Sequence, residues 1–88
     1  LIWLLEINSQ LNEDLNIPVK EFIISSGEKL TVLTQEDWEL YFNLQEDVKW
    51  QLTKLKALLE EKIPENKRKD LEYIELRFGN FANPRYKD

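Results

Sequence analysis

The sequence predicts an α+β domain: an antiparallel or mixed four-stranded sheet covered on one face by two helices, in the order α-β-β-β-α-β. Three observations carry this. Residues 38–43 and 71–78 alternate apolar and polar side chains with a period of two, the mark of strands with one buried face. Val48, Leu52, Leu55, Leu59 and Ile63 recur at spacings of four, three, four and four, which makes one continuous helical stripe. Clusters rich in Gly, Ser, Asn and charged residues separate these segments. A sheet with single-sided alternation needs a cover, and the two helices supply it.

Leu1, Leu4, Leu5, Leu11 and Leu15 recur at roughly helical spacing, with Glu6, Gln10, Glu13 and Asp14 between them. Residues 1–14 therefore read as an amphipathic helix, ended by Asn16 and Pro18. Val19 to Ser25 is rich in β-branched and aromatic residues and reads as the first strand. Ser25-Ser26-Gly27-Glu28 is a turn cluster in which Gly27 can take positive φ. Leu30 to Thr34 is the second strand, so the pair forms a hairpin. Gln35-Glu36-Asp37 connects it to a third strand, on which Trp38, Leu40 and Phe42 share one side. Asn43 followed by Glu46 resembles a capping box for the second helix, and Pro64 stops that helix near Ile63. Glu65 to Asp70 is a charged connector. Leu71 to Phe78 is the fourth strand, with Ile74, Leu76 and Phe78 on one side and Tyr73, Glu75 and Arg77 on the other. Gly79-Asn80 breaks it. Phe81 to Lys87 reads as extended, and Pro84 confines any strand there to an edge or a short length. The third and fourth strands are joined through a helix, as in a parallel crossover, although a long helix can also return an antiparallel strand.

Composition limits the chemistry. The chain has 88 residues, 42% hydrophobic and 33% charged, which argues for one folded domain over residues 1–88 and against disorder. It contains no Cys and no His, which removes thiolate metal sites, disulfides and the commonest nucleophiles and general bases. Only two glycines are present, too few for a Gly-rich phosphate loop. A net charge of −5 argues against a nucleic-acid partner. The carboxylate pairs Glu13-Asp14, Glu36-Asp37, Glu46-Asp47 and Glu60-Glu61 lack the pattern of a calcium loop and read as caps and solvated turns. No cofactor, metal or small-molecule substrate is expected. A chain that starts at Leu1 and holds no Met reads as a fragment or a processed product. Its apolar opening stops at Glu6, too short for a membrane span, so any anchor is expected upstream.

Two stretches carry a recognisable pattern: Lys-Trp-Gln-Leu-Thr-Lys-Leu-Lys-Ala-Leu-Leu-Glu over residues 49–60, and Leu-Glu-Tyr-Ile-Glu-Leu-Arg-Phe-Gly-Asn over residues 71–80. Together they resemble the C-terminal end of the β domain of FtsQ/DivIB-type bacterial cell-division proteins. The upstream layout agrees, with a Leu-rich helix, a hairpin and the aromatic strand Trp38-Glu39-Leu40-Tyr41-Phe42. Three positions depart from the family's pattern. Glu75 stands where Asp is usual, Asp37 stands where Gly is common, and Asn83-Pro84 interrupts what is often a continued strand.

The resemblance implies a non-catalytic scaffold domain of the division complex that binds the small coiled-coil division proteins FtsB or DivIC, and FtsL. It implies a single-pass cell-membrane protein with this domain on the extracytoplasmic side, the span and a POTRA domain lying upstream. The implied mode is addition of a partner strand at the C-terminal edge, formed by the fourth strand or by Phe81–Tyr86. The partner-binding candidates are Glu75, Arg77, Phe78, Phe81 and Tyr86. From parity alone, Phe78 reads as core, and Glu75 with Arg77 as a surface ion pair. Trp50 lies off the helical stripe, either packed on the sheet rim or exposed for contact. Lys67-Arg68-Lys69 reads as a solvated connector, with a patch facing an acidic partner as the other possibility. The rival readings are a generic interaction or adaptor module and a small enzyme domain that relies on carboxylates.

Overall fold

The computed structural model describes residues 2–25, 29–79 and 81–87, with side chains from Leu4 onward. The helix start at Leu1, the hairpin tip Ser26-Gly27-Glu28 and Asn80 of the expected strand break lie outside the described residues. The chain is an α+β domain with a five-stranded mixed sheet.

The first helical stretch comprises α1 (Ile2–Ser9) and a π-helical turn (Gln10–Asp14). Ile7, Leu11 and Leu15 are buried, spaced four apart, while Leu5 points to solvent. Asn16 ends the stretch in a left-handed conformation (φ 56), which aims the Ile17 N–H back at the Leu11 carbonyl at 2.7 Å. Asn tolerates that conformation better than most residues.

Strands β1 (Val19–Ser25), β2 (Lys29–Thr34) and β3 (Glu39–Asn43) form an antiparallel meander. The β2–β3 turn closes through the Thr34 N–H on the Trp38 carbonyl (2.9 Å) and the Asp37 N–H on the Thr34 carbonyl (3.0 Å). Asp37 takes φ 70 there, the conformation glycine adopts most cheaply.

Helix α2 (Val48–Glu61) then carries the chain to β4 (Leu71–Glu75), which pairs parallel with β3, Leu40 opposite Ile74. The α2 N-cap is Asp47, whose side chain accepts from the Trp50 N–H at 3.1 Å. The expected capping box at Asn43 is therefore corrected. Asn43 ends β3, and its side-chain oxygen accepts from the Gln45 N–H instead (2.9 Å).

The charged connector is a 3-10 helix (Glu65–Asp70). Lys67-Arg68-Lys69 is not wholly solvated. The 3-10 period brings Arg68 to the same side as the buried Leu71, and its Nη1 donates to the Leu15 carbonyl at 2.9 Å. This ties the connector to the end of the first helical stretch.

The expected four strands are five. The segment after Gly79 returns as β5 (Asn83–Tyr86), antiparallel to β4 with Ile74 opposite Pro84. Sheet order is β1-β2-β3-β4-β5, so β4 is interior and β1 and β5 are the edges. β4 also ends at Glu75, earlier than the alternation suggests. The core joins Ile7, Leu11, Val48, Leu52, Leu55 and Leu59 from the helices to Leu30, Val32, Leu40, Phe42, Ile74 and Leu76 from the sheet, with Trp38 fully buried beside them. Every residue of the predicted apolar stripe is buried. No helix among the described residues is long and apolar enough to cross a membrane.

Leu55 is fully enclosed at the middle of α2, so Leu55→Ala is expected to cost about 2–5 kcal/mol in urea denaturation. Arg68→Met should cost about 1–3 kcal/mol in the same assay, because it strands the Leu15 carbonyl without its donor.

Candidate functional site

The chemistry-bearing side chains gather around the β4–β5 connection and along β5. The Leu76 N–H still bonds the Tyr41 carbonyl (3.1 Å), continuing the parallel pairing by one residue. The next N–H, that of Arg77, turns instead onto the Glu75 carboxylate (3.2 Å) and leaves the ladder. The Arg77 guanidinium closes the same loop with two bonds to that carboxylate, Nε at 2.7 Å and Nη2 at 3.0 Å. This bidentate fork raises Arg77 above its ordinary basicity, the hydrogen bond being the main cause.

Arg77 also lies over two rings, 4.9 Å from the Phe78 centroid and 5.8 Å from that of Tyr41. Tyr41 stacks on Tyr73 with centroids 5.0 Å apart, carries the Lys29 ammonium over its face at 4.2 Å, and donates its hydroxyl to Glu39 at 2.8 Å. Burial, then the bond to Glu39, pushes the Tyr41 hydroxyl far above its ordinary pKa of 10.0.

Of the predicted contact residues, Glu75 and Arg77 are thus paired with each other. Glu75 ends an interior strand, opposite Asn83, and is no part of a free edge. Phe78 does not join Ile74 and Leu76 in the core; it is 62% exposed, because the chain leaves the ladder at Arg77 before parity can bring it inward. Phe81 is 78% exposed and precedes the strand, while Tyr86 ends β5 half-exposed.

Phe81 and Tyr86 come together along an open groove of about 750 Å³ between α2 and β5, which Trp50, Leu58, Ala82 and Pro84 also line. Trp50 is 46% exposed at this groove, which settles its place at the rim as neither core nor isolated surface.

β5 presents its outer side to solvent. The Lys87 N–H points inward, donating to the Asp70 carbonyl at 2.8 Å. By strand alternation Arg85 and Asn83 also bond inward, whereas Pro84 and Tyr86 turn their backbone groups outward. The missing N–H of Pro84 therefore falls on the free side, the one place where a proline costs the sheet no bond. The outward groups are the Tyr86 N–H and the carbonyls of Pro84 and Tyr86.

Two side chains that hold this site together escaped the sequence reading. Lys54 is buried on α2, and its ammonium donates to the carbonyls of Leu76 (2.9 Å) and Gly79 (3.1 Å). It clamps the loop bearing Arg77 and Phe78 to the helix. Burial lowers its pKa, partly opposed by Glu75. Gln51, also buried, accepts from the Asn43 N–H (2.7 Å) and donates to the Asn43 carbonyl (2.8 Å), which pins the end of β3 to the same helix. The spacing of 51, 54 and 58, a second row beside the Leu stripe, was the available signal. Among the described residues, no group of three or more Asp or Glu side chains stands close enough to hold a metal ion.

Comparison with models of known protein families and with curated proteins finds no match to this chain.

Lys54→Met removes both donors from the loop. Amide exchange at Arg77, Phe78 and Gly79 should accelerate, and stability should fall by about 1–3 kcal/mol. Tyr41 makes an alkaline prediction. Its folded pKa lies above its unfolded one, so the stability it contributes is complete below pH 10 and is lost as pH rises beyond it. Tyr41→Phe should flatten that alkaline loss in denaturation curves. The wild-type-minus-variant absorbance titration should show no tyrosinate step at pH 10.

Proposed function

We propose that this chain is a non-catalytic binding domain of the FtsQ/DivIB type, which accepts an extended segment of a small coiled-coil division protein at the outer edge of β5. The partner is of the FtsB or DivIC class, with FtsL as its companion. On this reading the full protein is anchored in the cell membrane by a single upstream span and holds this domain on the extracytoplasmic side.

The observation that carries the reading is β5 itself. It is an edge strand of the sheet, with outward Tyr86 and Pro84 backbone groups and an apolar groove along one flank. An incoming strand gains main-chain bonds from the edge and side-chain selectivity from the groove. Two further features agree with the resemblance. Asp37 occupies a position where the family commonly has glycine, and here that position takes positive φ. The parallel β3–β4 pairing through α2 joins the helix and the strand that carry the quoted pattern.

On this reading Phe81, which precedes β5, and Arg77, which lies in the loop, supply none of the edge bonds. The test is therefore Tyr86→Pro, which deletes the outward N–H together with the ring that lines the groove, read against Tyr86→Ala, which deletes the ring and keeps the N–H. Binding of a strand-forming FtsB- or DivIC-like peptide, followed by calorimetry, should be lost in Tyr86→Pro and retained in Arg77→Gln. Retained binding in Tyr86→Pro, with an unchanged circular dichroism spectrum, would rule out the β5 edge.

A further inference from the structure

The groove beside β5 does not end at Tyr86. It runs on into a cleft at the C-terminal end of the strand, lined by Lys62, Pro64, Lys67, Asp70, Tyr86 and Lys87. Lys62 and Tyr86 line both depressions, so the apolar groove and the cleft are continuous around the Tyr86 ring.

The cleft is cationic in an acidic protein. Three lysines meet there against the single carboxylate of Asp70, while the chain as a whole carries −5. They come from three separate places in the chain: Lys62 from the C-cap of α2, Lys67 from the 3-10 helix, and Lys87 from just past β5. Folding thus gathers positive charge that the sequence scatters. The ion pairs among the described residues involve Lys20, Arg77 and Arg85, and none of the three cleft lysines. Lys62 and Lys67 are exposed, so a carboxylate arriving there pairs with them without first breaking an internal bridge.

We propose that the segment bound at β5 is acidic at one end, and that its carboxylate seats in the Lys62–Lys67–Lys87 cleft while apolar side chains of the same face enter the α2–β5 groove. This rests on the edge reading above and adds the chemistry of the partner. Strand geometry fixes the pattern. Same-face residues recur every second position, about 6.5 Å apart. An apolar residue in the groove near Pro84 and an acidic one beyond Tyr86 are then two or four positions apart in the partner. The recognised sequence is apolar, any residue, acidic, or the same with one further apolar step between.

Short synthetic peptides of alternating valine and threonine, ending in glutamate, glutamine or lysine, test this against the whole chain. Affinity is read by calorimetry at low salt and placement by the amide shift of Tyr86. The glutamate peptide should bind roughly tenfold more tightly than the lysine peptide, with the glutamine peptide between. Lys62→Glu combined with Lys67→Glu should reverse that order and leave the glutamine peptide unchanged. Equal binding of all three with a shifted Tyr86 amide overturns the cleft and leaves the edge intact. A glutamate preference without any Tyr86 shift is mere charge attraction and also overturns it. If no peptide shifts Tyr86, the edge reading itself fails and takes this inference with it.

Discussion

Burial of α2 against the sheet is the interaction on which the remaining geometry depends. The Val48–Ile63 stripe covers the strands, and its burial fixes the rotation of the helix about its axis. That rotation brings the neighbouring row, Gln51 and Lys54, to the sheet as well. Gln51 then finishes β3 by bonding both backbone groups of Asn43, and Lys54 holds the Leu76 and Gly79 carbonyls. A polar side chain buried beside an apolar stripe is costly unless every group finds a partner. Here the backbone ends of two strands are those partners. The helix therefore sets where β3 stops and where the β4–β5 loop lies, and through the loop it sets the place of β5.

The two sheet edges are treated differently. β1 has seven residues and no proline, with Ile23 and Ile24 half exposed. Its register slips between Val19 and Glu21, and Lys20 and Glu21 lie at that irregularity. Bulges and charges are established means of blunting an edge against unwanted pairing. β5 is four residues long and carries its proline outward. An outward proline limits the length of any added strand without closing the edge, because the Tyr86 N–H beyond it stays available. On the proposed reading, a short edge beside an open apolar groove favours one register for the added strand.

Much of this was legible from period and punctuation. The β1 boundaries follow from a run of β-branched and aromatic residues, and the α2 stripe from helical spacing. What the sequence hid has physical reasons at named residues. Phe78 continues the alternation on paper, but the Glu75 carboxylate captures the Arg77 N–H and ends the ladder. Pro84 confined any strand there to an edge or a short length, and β5 is both; only the outward direction of its nitrogen was hidden. A proline forbids pairing only when its nitrogen faces the neighbour, and that depends on a register one sequence does not reveal. Arg68 looked solvated inside a run of charges, until a 3-10 period placed it level with Leu71. The cleft lysines are 62, 67 and 87 in the chain, a spacing that only the β4–β5 return brings together.

The charge distribution explains why the arginine that dominates the sequence pattern is a poor source of selectivity. Arg77 already gives its fork to Glu75 and its faces to Tyr41 and Phe78. A partner carboxylate would have to displace Glu75, which exchanges one bidentate pair for another and leaves a partly buried carboxylate behind. The net gain of that exchange is small. The cleft lysines stand in the opposite position, exposed and outside the ion pairs of the described residues, so a carboxylate meeting them adds an interaction with nothing removed. Arg77 shapes the loop; on the proposed reading, discrimination among partners falls to the lysines and to the apolar flank between α2 and β5.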